Sequence, residues 1–174
     1  MTAKKRESAQ DGTSVRKRTT RTVRKNPHAG SRISITVSSD EGRITIREVL
    51  KLGEKVTVRT IRQGLTVQKV DLLSERLRVS KADALRLIGL PRQTFNRRKA
   101  AGRLTAEESD RVVRYAELIA RAIDLMGDEA AAATWLSTPA PSLGNDTPLD
   151  HATTELGARE VLQLIGRLEH GIPV

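Results

Sequence analysis

The amino-acid sequence predicts an all-α protein, and three kinds of observation support this prediction. From residue 64 onward, apolar residues recur at steps of three and four, which is the spacing of one helix face. Residue pairs typical of helix N-termini precede these runs: Ser80 stands three residues before Asp83, and Thr105 three before Glu108. Glycines that end helices, such as Gly89, follow them. Residues 64–174 are therefore predicted to be mainly helical.

The charge is unevenly distributed along the chain. The 174 residues carry a net charge of +10. Residues 1–32 contribute +8, residues 33–79 contribute +3, residues 80–103 contribute +6 and residues 104–174 contribute −7. A polyanion such as DNA would be attracted by the first 103 residues and repelled by the others. The acidic C-terminal part therefore needs a different purpose.

Residues 1–32 are predicted to form a disordered basic arm. They are rich in Lys, Arg, Thr and Ser and contain few apolar side chains, so burial cannot offset the entropy cost of ordering them. Two interpretations stay open. The arm is either a solvated tail, which includes the case of a wrongly chosen start codon, or a segment that contacts phosphates without sequence specificity.

The next segment, residues 33–63, is predicted to be an N-terminal extension that combines a short β-hairpin with a helix. Apolar and polar residues alternate in two runs separated by a turn-like sequence: residues 33–37, then the turn at 39–42, then Ile44 and Ile46. Residues 48–63 mix both periodicities, and we interpret them as a helix that ends at Gly64.

Three helices are predicted between Gly64 and Arg103. The first spans residues 66–78, and the second begins at Ser80 and ends at Gly89. Pro91 suits the first position of a new helix, which residues 92–101 supply before Gly102 ends it. The side chains expected to face the core are Val70, Leu73, Leu77, Ala84, Leu85, Ile88 and Phe95.

The remaining sequence predicts one long helix and three shorter elements. The long helix follows Thr105 and ends at Gly127, with one apolar face formed by Val112, Ala116, Ile119, Ile123 and Met126. Asp128 opens a short helix through Leu136, and residues 137–146 form a loop. One helical turn at residues 148–150 precedes the last helix, which begins at Thr154 and carries Ala158, Val161, Leu162, Ile165 and Leu168 on its apolar face.

The two short helices joined at Gly89-Leu90-Pro91 have the spacing of a helix-turn-helix, whose second helix enters the major groove of DNA. The residues expected to project outward from that helix and read bases are Arg92, Gln93, Asn96 and Arg97. Arg98, Lys99 and Arg103 stand behind them and suit phosphate contacts. Between Ser80 and Arg103 there are seven cationic residues and one acidic residue, so the pattern predicts DNA binding.

Several other classes of function are excluded by the sequence. There is no cysteine, and His28, His151 and His170 lie too far apart in sequence for metal-ligand spacing, so no metal or cofactor is expected. No apolar run is long enough to span a membrane, and no apolar segment follows the basic N-terminus as in a signal peptide. We therefore expect a cytoplasmic protein that is nucleoid-associated when bound to DNA.

Two groups of motifs resemble a known family. The first group contains Gly89-Leu90-Pro91-Arg92-Gln93-Thr94-Phe95 and Gly102-Arg103-Leu104-Thr105. The second contains Ala133-Thr134-Trp135-Leu136, Thr147-Pro148-Leu149, Gly157-Ala158 and Gly166-Arg167-Leu168-Glu169-His170-Gly171. They resemble the Xre-type antitoxins of the Xre/MbcA/ParS family, from about Gly64 to the C-terminus. We interpret Trp135, Pro148-Leu149 and Gly157-Ala158 as structural residues of that pattern.

The resemblance implies the antitoxin of a RES–Xre type II toxin–antitoxin system. Residues 64–126 would form a helix-turn-helix domain for DNA binding and dimerisation, and residues 127–174 a small helical toxin-binding domain. The implied partners are a RES-domain toxin that consumes NAD and a palindromic double-stranded operator, bound by a homodimer within a hetero-oligomeric complex that represses its own promoter. The segment implied to cover the active site of the toxin contains Arg167, Glu169, His170, Gly171, Ile172, Pro173 and Val174.

Two alternative functions stay open at this point. One is a free-standing helix-turn-helix transcription regulator without a toxin partner. The other is an enzyme, such as a hydrolase that uses Ser109, Asp110 or His151. The sequence contains no phosphate-binding loop, metal-ligand spacing or nucleophile elbow, so we expect no enzymatic activity.

Overall fold

The protein is described here by a computed structural model that covers residues 44–52 and 56–172. Within these two stretches the regular secondary structure is helical, apart from one isolated bridge between Thr66 and Arg103. The helices are α1 (Ile46–Val49), α2 (Val58–Gln63), α3 (Gln68–Leu77), α4 (Lys81–Leu87), α5 (Arg92–Ala101), α6 (Ala106–Met126), α7 (Glu129–Leu136), α8 (Pro148–His151) and α9 (Glu155–Glu169), with a 3-10 turn at Pro141–Leu143. The predicted all-α fold is confirmed. In the covered part, no helix is both long and apolar enough to cross a membrane.

Hydrogen bonds from backbone amides to side chains begin the helices where the sequence predicts them. The side-chain oxygen of Ser80 accepts a hydrogen bond from Asp83 N at 3.1 Å, and Thr154 Oγ1 accepts one from Gly157 N at 3.0 Å. Thr105 and Glu108 form a complete capping box at the start of α6. Gly102 and Gly127 end α5 and α6 in the left-handed conformation, which glycine adopts without strain. The predicted limits of these helices are confirmed within a few residues.

The predicted hairpin is wrong at its second strand, because Ile46 begins helix α1. Thr45 and Glu48 form a capping box in which Glu48 Oε2 accepts a hydrogen bond from Thr45 N at 2.7 Å. This local arrangement stabilises a helical turn. Ile44 and Ile46 are both partly buried against the core, although they are not in a strand. The predicted first strand at 33–37 and the basic arm at 1–32 lie outside the described residues.

The single helix predicted for residues 48–63 is also wrong. Residues 50 and 51 form a turn after α1, and Lys51 has a positive φ of 45°. Within the described residues the next helix is α2, Val58–Gln63, and Gly64 ends it as predicted. Gly64 is required at that point because a Cβ atom there would lie 2.1 Å from the carbonyl oxygen of Leu104.

Helix α6 is the centre of the hydrophobic core. It packs against α1, α2 and α3 from the N-terminal side of the chain, and against α7 and α9 from the C-terminal side. Tyr115, on α6, is fully buried, and its hydroxyl donates a hydrogen bond to the carbonyl oxygen of Leu149 at 3.0 Å. Burial raises the pKa of Tyr115, so the hydroxyl keeps the proton that it donates. One continuous core thus holds the elements on both sides of Gly127 in place.

Candidate functional sites

The turn between α4 and α5 fixes the position of α5. Gly89 has a φ of +59°, and the amides of Gly89 and Leu90 donate to the carbonyls of Arg86 and Leu85 at 2.9 and 2.8 Å. These two bonds close the C-terminal end of α4. Leu90 and Phe95 are buried, which anchors both the turn and the inner face of α5. The predicted helix-turn-helix arrangement of α4 and α5 is therefore present.

The four residues predicted to read bases all lie exposed on α5: Arg92, Gln93, Asn96 and Arg97. Arg92, Gln93 and Asn96 share one side of the helix, because residues one and four positions apart lie within about 100° of each other around the axis. Ala100, also exposed, continues the same face one turn further on. Ala100 was not among the predicted residues, although its position four residues after Asn96 is a sequence signal for it. A short apolar side chain suits contact with the methyl group of thymine.

Two of the predicted phosphate-binding residues have partners within the chain. Nε of Arg98 lies 3.0 and 2.9 Å from the two carboxylate oxygens of Glu108, whose side chain is only 7% exposed. Arg103 donates a hydrogen bond from Nη1 to the carbonyl oxygen of Gly64 at 2.7 Å. These contacts attach α5 and the segment after it to α6 and to the loop that follows α2. Arg98 and Arg103 thus have structural contacts within the chain.

Two lysines flank the ring of Phe95. The Nζ atom of Lys99, the third predicted phosphate-binding residue, lies 5.3 Å from the ring centroid, and that of Lys81 lies 4.2 Å from it. Both distances are within the range of a cation–π contact. Lys81, at the first turn of α4, also pairs with Asp71. An open cleft of about 860 Å³, lined by residues of α4 and α5 that include Lys81, Phe95 and Asn96, places Lys81 beside the exposed face of α5. Lys81 was counted among the seven cations of this segment but was not among the residues predicted to contact DNA.

The residues implied to contact a toxin lie at the C-terminal end of α9. Arg167 and His170 are exposed, and the side chain of Ile172 is 50% exposed. The amide of Ile172 donates to the carbonyl of Arg167 at 2.9 Å, so the chain turns back at Gly171, which has a φ of +64°. Glu169 is placed differently, because its carboxylate lies 3.0 Å from Nη2 of Arg121 on α6 and its side chain is only 16% exposed. Pro173 and Val174 lie outside the described residues.

The residues proposed for a hydrolase make separate contacts. Ser109 is fully buried; its hydroxyl accepts a hydrogen bond from Leu65 N at 2.8 Å and donates one to the carbonyl of Thr105 at 2.6 Å. His151 instead contacts Glu160 at 2.6 Å. Asp110 is exposed and lies 3.8 Å from Arg114. The three side chains thus have other partners, and over residues 44–52 and 56–172 no cluster of His, Asp and Glu could hold a metal ion.

Ion pairs connect the helix-turn-helix to the C-terminal part. Arg86 on α4 lies 2.8 Å from the carboxylate of Asp150 on α8. Hydrogen bonds from Thr147 and Arg86 hold the pKa of Asp150 below its ordinary value. Arg114 on α6 lies 3.1 Å from Glu155 on α9. These contacts add to the continuous core that joins the helix-turn-helix to α8 and α9.

Two family matches cover most of the described residues. Residues 57–117 match the family described as the antitoxin Xre-like helix-turn-helix domain. Residues 121–171 match the family described as the antitoxin Xre/MbcA/ParS C-terminal toxin-binding domain. The first match contains α2 to α5 and the start of α6, and the second contains α7 to α9.

Three curated relatives are each named antitoxin Xre. A protein named antitoxin Xre from Yersinia enterocolitica is 42% identical over 119 residues, which are 67% of this chain and 80% of that protein. One of the same name from Photorhabdus laumondii is 40% identical over 114 residues, which are 64% of this chain and 77% of that protein. A third, from Pseudomonas putida, is 34% identical over 68 residues, 39% of this chain and 43% of that protein. The similarity to the first two extends over most of their length.

Proposed function

This chain belongs to the Xre/MbcA/ParS family of antitoxins, and on that basis we propose that it binds operator DNA through α5 and neutralises a toxin through the C-terminal end of α9. Family membership provides a helix-turn-helix domain and a toxin-binding domain and indicates a regulatory protein, not an enzyme. The observation that supports both parts of the proposal is the separation of two exposed surfaces, one polar and basic on α5 and one on α9, around a single core.

For DNA, we assign base reading to the exposed side of α5. Asn96 and Gln93 present the amide groups that pair with adenine, and Arg92 and Arg97 present the guanidinium groups that pair with guanine. Lys99 is assigned to phosphate contacts because it lies at the edge of the same surface. Arg98 and Arg103, given their contacts with Glu108 and Gly64, are assigned a supporting role in which they position α5.

The DNA assignment is tested by replacing Arg97 with alanine. If Arg97 reads a base, operator affinity falls by about 1–3 kcal/mol, measured by fluorescence anisotropy on a promoter fragment at fixed salt. The matched control is Arg159→Ala, which removes the same charge from an exposed position on α9 and leaves operator affinity unchanged. Equal losses for both variants would show that only net charge matters and that α5 is not the reading helix.

For the toxin, we propose a RES-domain enzyme that consumes NAD, with the segment that begins at Arg167 covering its active site. A short segment held by a preceding helix loses little conformational entropy when it inserts into a cleft, which favours affinity. The acidic charge of residues 104–174 complements a basic cleft built for a phosphorylated substrate. We further propose that the chain acts in the cytoplasm as a homodimer within a larger complex with the toxin, bound at a palindromic operator and repressing its own promoter.

The toxin assignment is tested by removing Ile172, Pro173 and Val174. The probe is the product of the reading frame adjacent to the gene, assayed for NAD turnover with the full-length chain and with the truncated chain. We expect the full-length chain to inhibit turnover and the truncated chain to inhibit it far less, while operator binding is unchanged. Full inhibition by the truncated chain would contradict the role of these three residues, and a neighbouring product that neither binds the chain nor turns over NAD would contradict the proposed partner.

A further inference from the structure

Two glycines in helix α9 differ in their surroundings. Gly157 is buried, and a Cβ atom there would lie 1.9 Å from the carbonyl oxygen of His151, so no larger residue fits without moving the backbone. At Gly166 an added Cβ would meet no described atom within 4 Å. Gly166 also lies inside the helix, three residues before its end, with no positive φ that would favour glycine.

Glycine at such a position makes the helix less stable than alanine would, because glycine loses more backbone conformational entropy when the helix forms and has no side chain to make contacts. For Gly157 the fold itself explains the glycine. For Gly166 the described part of the chain offers no such reason. A partner that approaches the helix backbone closely is a physical explanation for a glycine at this position.

The surroundings of Gly166 indicate what that partner contacts. A groove of about 460 Å³ lies beside it, lined by Gln163, Gly166, Arg167, His170 and Ile172. Ile172 is 50% exposed, and Leu156, on the outer side of α9 two turns before Gln163, is 64% exposed. Among the residues that the structure covers, only one other large apolar side chain, Val58, is exposed to this degree. The outer face of α9 thus has one exposed apolar side chain near each end, Leu156 and Ile172. The groove lies at Gly166, where no side chain fills the space.

We propose that the toxin packs an apolar side chain into this groove against the backbone of Gly166, so that the outer face of α9, and not the terminal segment alone, forms the interface. This inference rests on the proposed function, since it takes the toxin as the partner. Four of the five residues that line the groove lie within the match to the toxin-binding domain, and the groove is continuous with the segment already assigned to toxin contact. A well-packed apolar contact of this kind excludes water and can contribute a large share of the binding free energy.

The test compares Gly166→Ala and Gly166→Leu with the wild-type chain. Because the position is open, both variants are expected to fold with an unchanged or higher melting temperature and to keep wild-type operator affinity. Their affinity for the product of the adjacent reading frame, measured by isothermal titration calorimetry, is expected to fall at least tenfold for leucine, or about 1.4 kcal/mol, and less for alanine. Ala101→Leu, at an exposed position at the end of α5, is the matched control for added bulk and leaves this affinity unchanged.

Each other outcome overturns the inference in a distinct way. A lower melting temperature for Gly166→Ala would show a structural role like that of Gly157. Unchanged toxin affinity for Gly166→Leu would show that the groove stays empty in the complex. If Gly166→Leu keeps its toxin affinity but is a monomer in light scattering where the wild type is a homodimer, a second copy of the chain occupies this face instead of the toxin. If the wild-type chain itself does not bind the neighbouring product, the proposed function fails and the inference fails with it.

Discussion

Replacing Glu108 with alanine is predicted to destabilise the protein, because it removes the contacts that the carboxylate makes at the start of α6. The carboxylate accepts a hydrogen bond from Thr105 N at 2.8 Å and contacts Nε of Arg98 through both oxygens. Loss of the hydrogen bond from Thr105 N costs about 1 kcal/mol, while Thr105 Oγ1 can still accept from the backbone amide of residue 108. Loss of the charged partner of Arg98 costs about 1–2 kcal/mol, because the side chain of Arg98 is 25% exposed and can turn toward water. The expected sum is about 2–3 kcal/mol.

Thermal denaturation followed by circular dichroism measures this loss. For a folded unit of this size, about 2–3 kcal/mol corresponds to a decrease in melting temperature of roughly 5–10 °C. Two controls separate the contributions. Glu108→Gln keeps an oxygen that can accept from Thr105 N but loses the charge, so it is expected to cost about half as much. Glu107→Ala, at the exposed neighbouring position, is expected to stay within about 0.5 kcal/mol of the wild type. A melting temperature for Glu108→Ala equal to that of Glu107→Ala would refute the reasoning.

Three further predictions concern salt, pH and the core. Lys99→Ala should weaken operator binding and reduce the slope of log affinity against log salt by about one, and an unchanged slope would remove Lys99 from the phosphate contacts. The hydrogen bond to Glu160 raises the pKa of His151. The stability advantage of the wild type over His151→Gln should therefore be full below about pH 6.5 and shrink as the pH rises through the raised pKa. If this contact contributes nothing, melting curves at low and high pH will show a constant difference between the two proteins. Tyr115→Phe leaves the carbonyl of Leu149 without its donor and should cost about 1–3 kcal/mol in urea unfolding, whereas an unchanged midpoint would show that the carbonyl finds another partner.

Helix limits after residue 64 could be predicted because their signals are local. Ser80, Thr105, Asp128 and Thr154 each accept a hydrogen bond from a backbone amide three residues later. Thr45 and Glu48 carry the same signal, whereas the alternation of Ile44 and Ile46 favours a strand that the structure does not contain at these residues. A two-residue alternation is weak evidence, and the capping box was the better guide.

The partners of charged side chains could not be predicted, because they come from distant parts of the chain. The sequence shows a run of cations from Arg97 to Lys99, but only the folded chain brings Glu108 to Arg98. In the same way, Arg121 on α6 reaches Glu169 across 48 residues of sequence. Exposed residues such as Asn96 follow from helix periodicity alone. Which of the cations stay available to DNA depends on tertiary contacts.

The separation of the α5 surface from the α9 surface matters for how the two activities combine. Both surfaces belong to helices that pack, directly or through α4 and α8, around α6. If α5 reads the operator and the end of α9 holds the toxin, neither ligand competes for the residues of the other. Binding of the toxin and binding of DNA should then be compatible in one complex.

Sedimentation velocity of a fluorescently labelled promoter fragment tests this claim most directly. The fragment is mixed with the chain alone and then with the chain and the product of the adjacent reading frame. The account predicts that the labelled DNA sediments faster when the second protein is added, because one particle contains all three components. Release of the DNA at saturating concentrations of that protein, or an unchanged sedimentation coefficient, would contradict two separate binding surfaces on this chain.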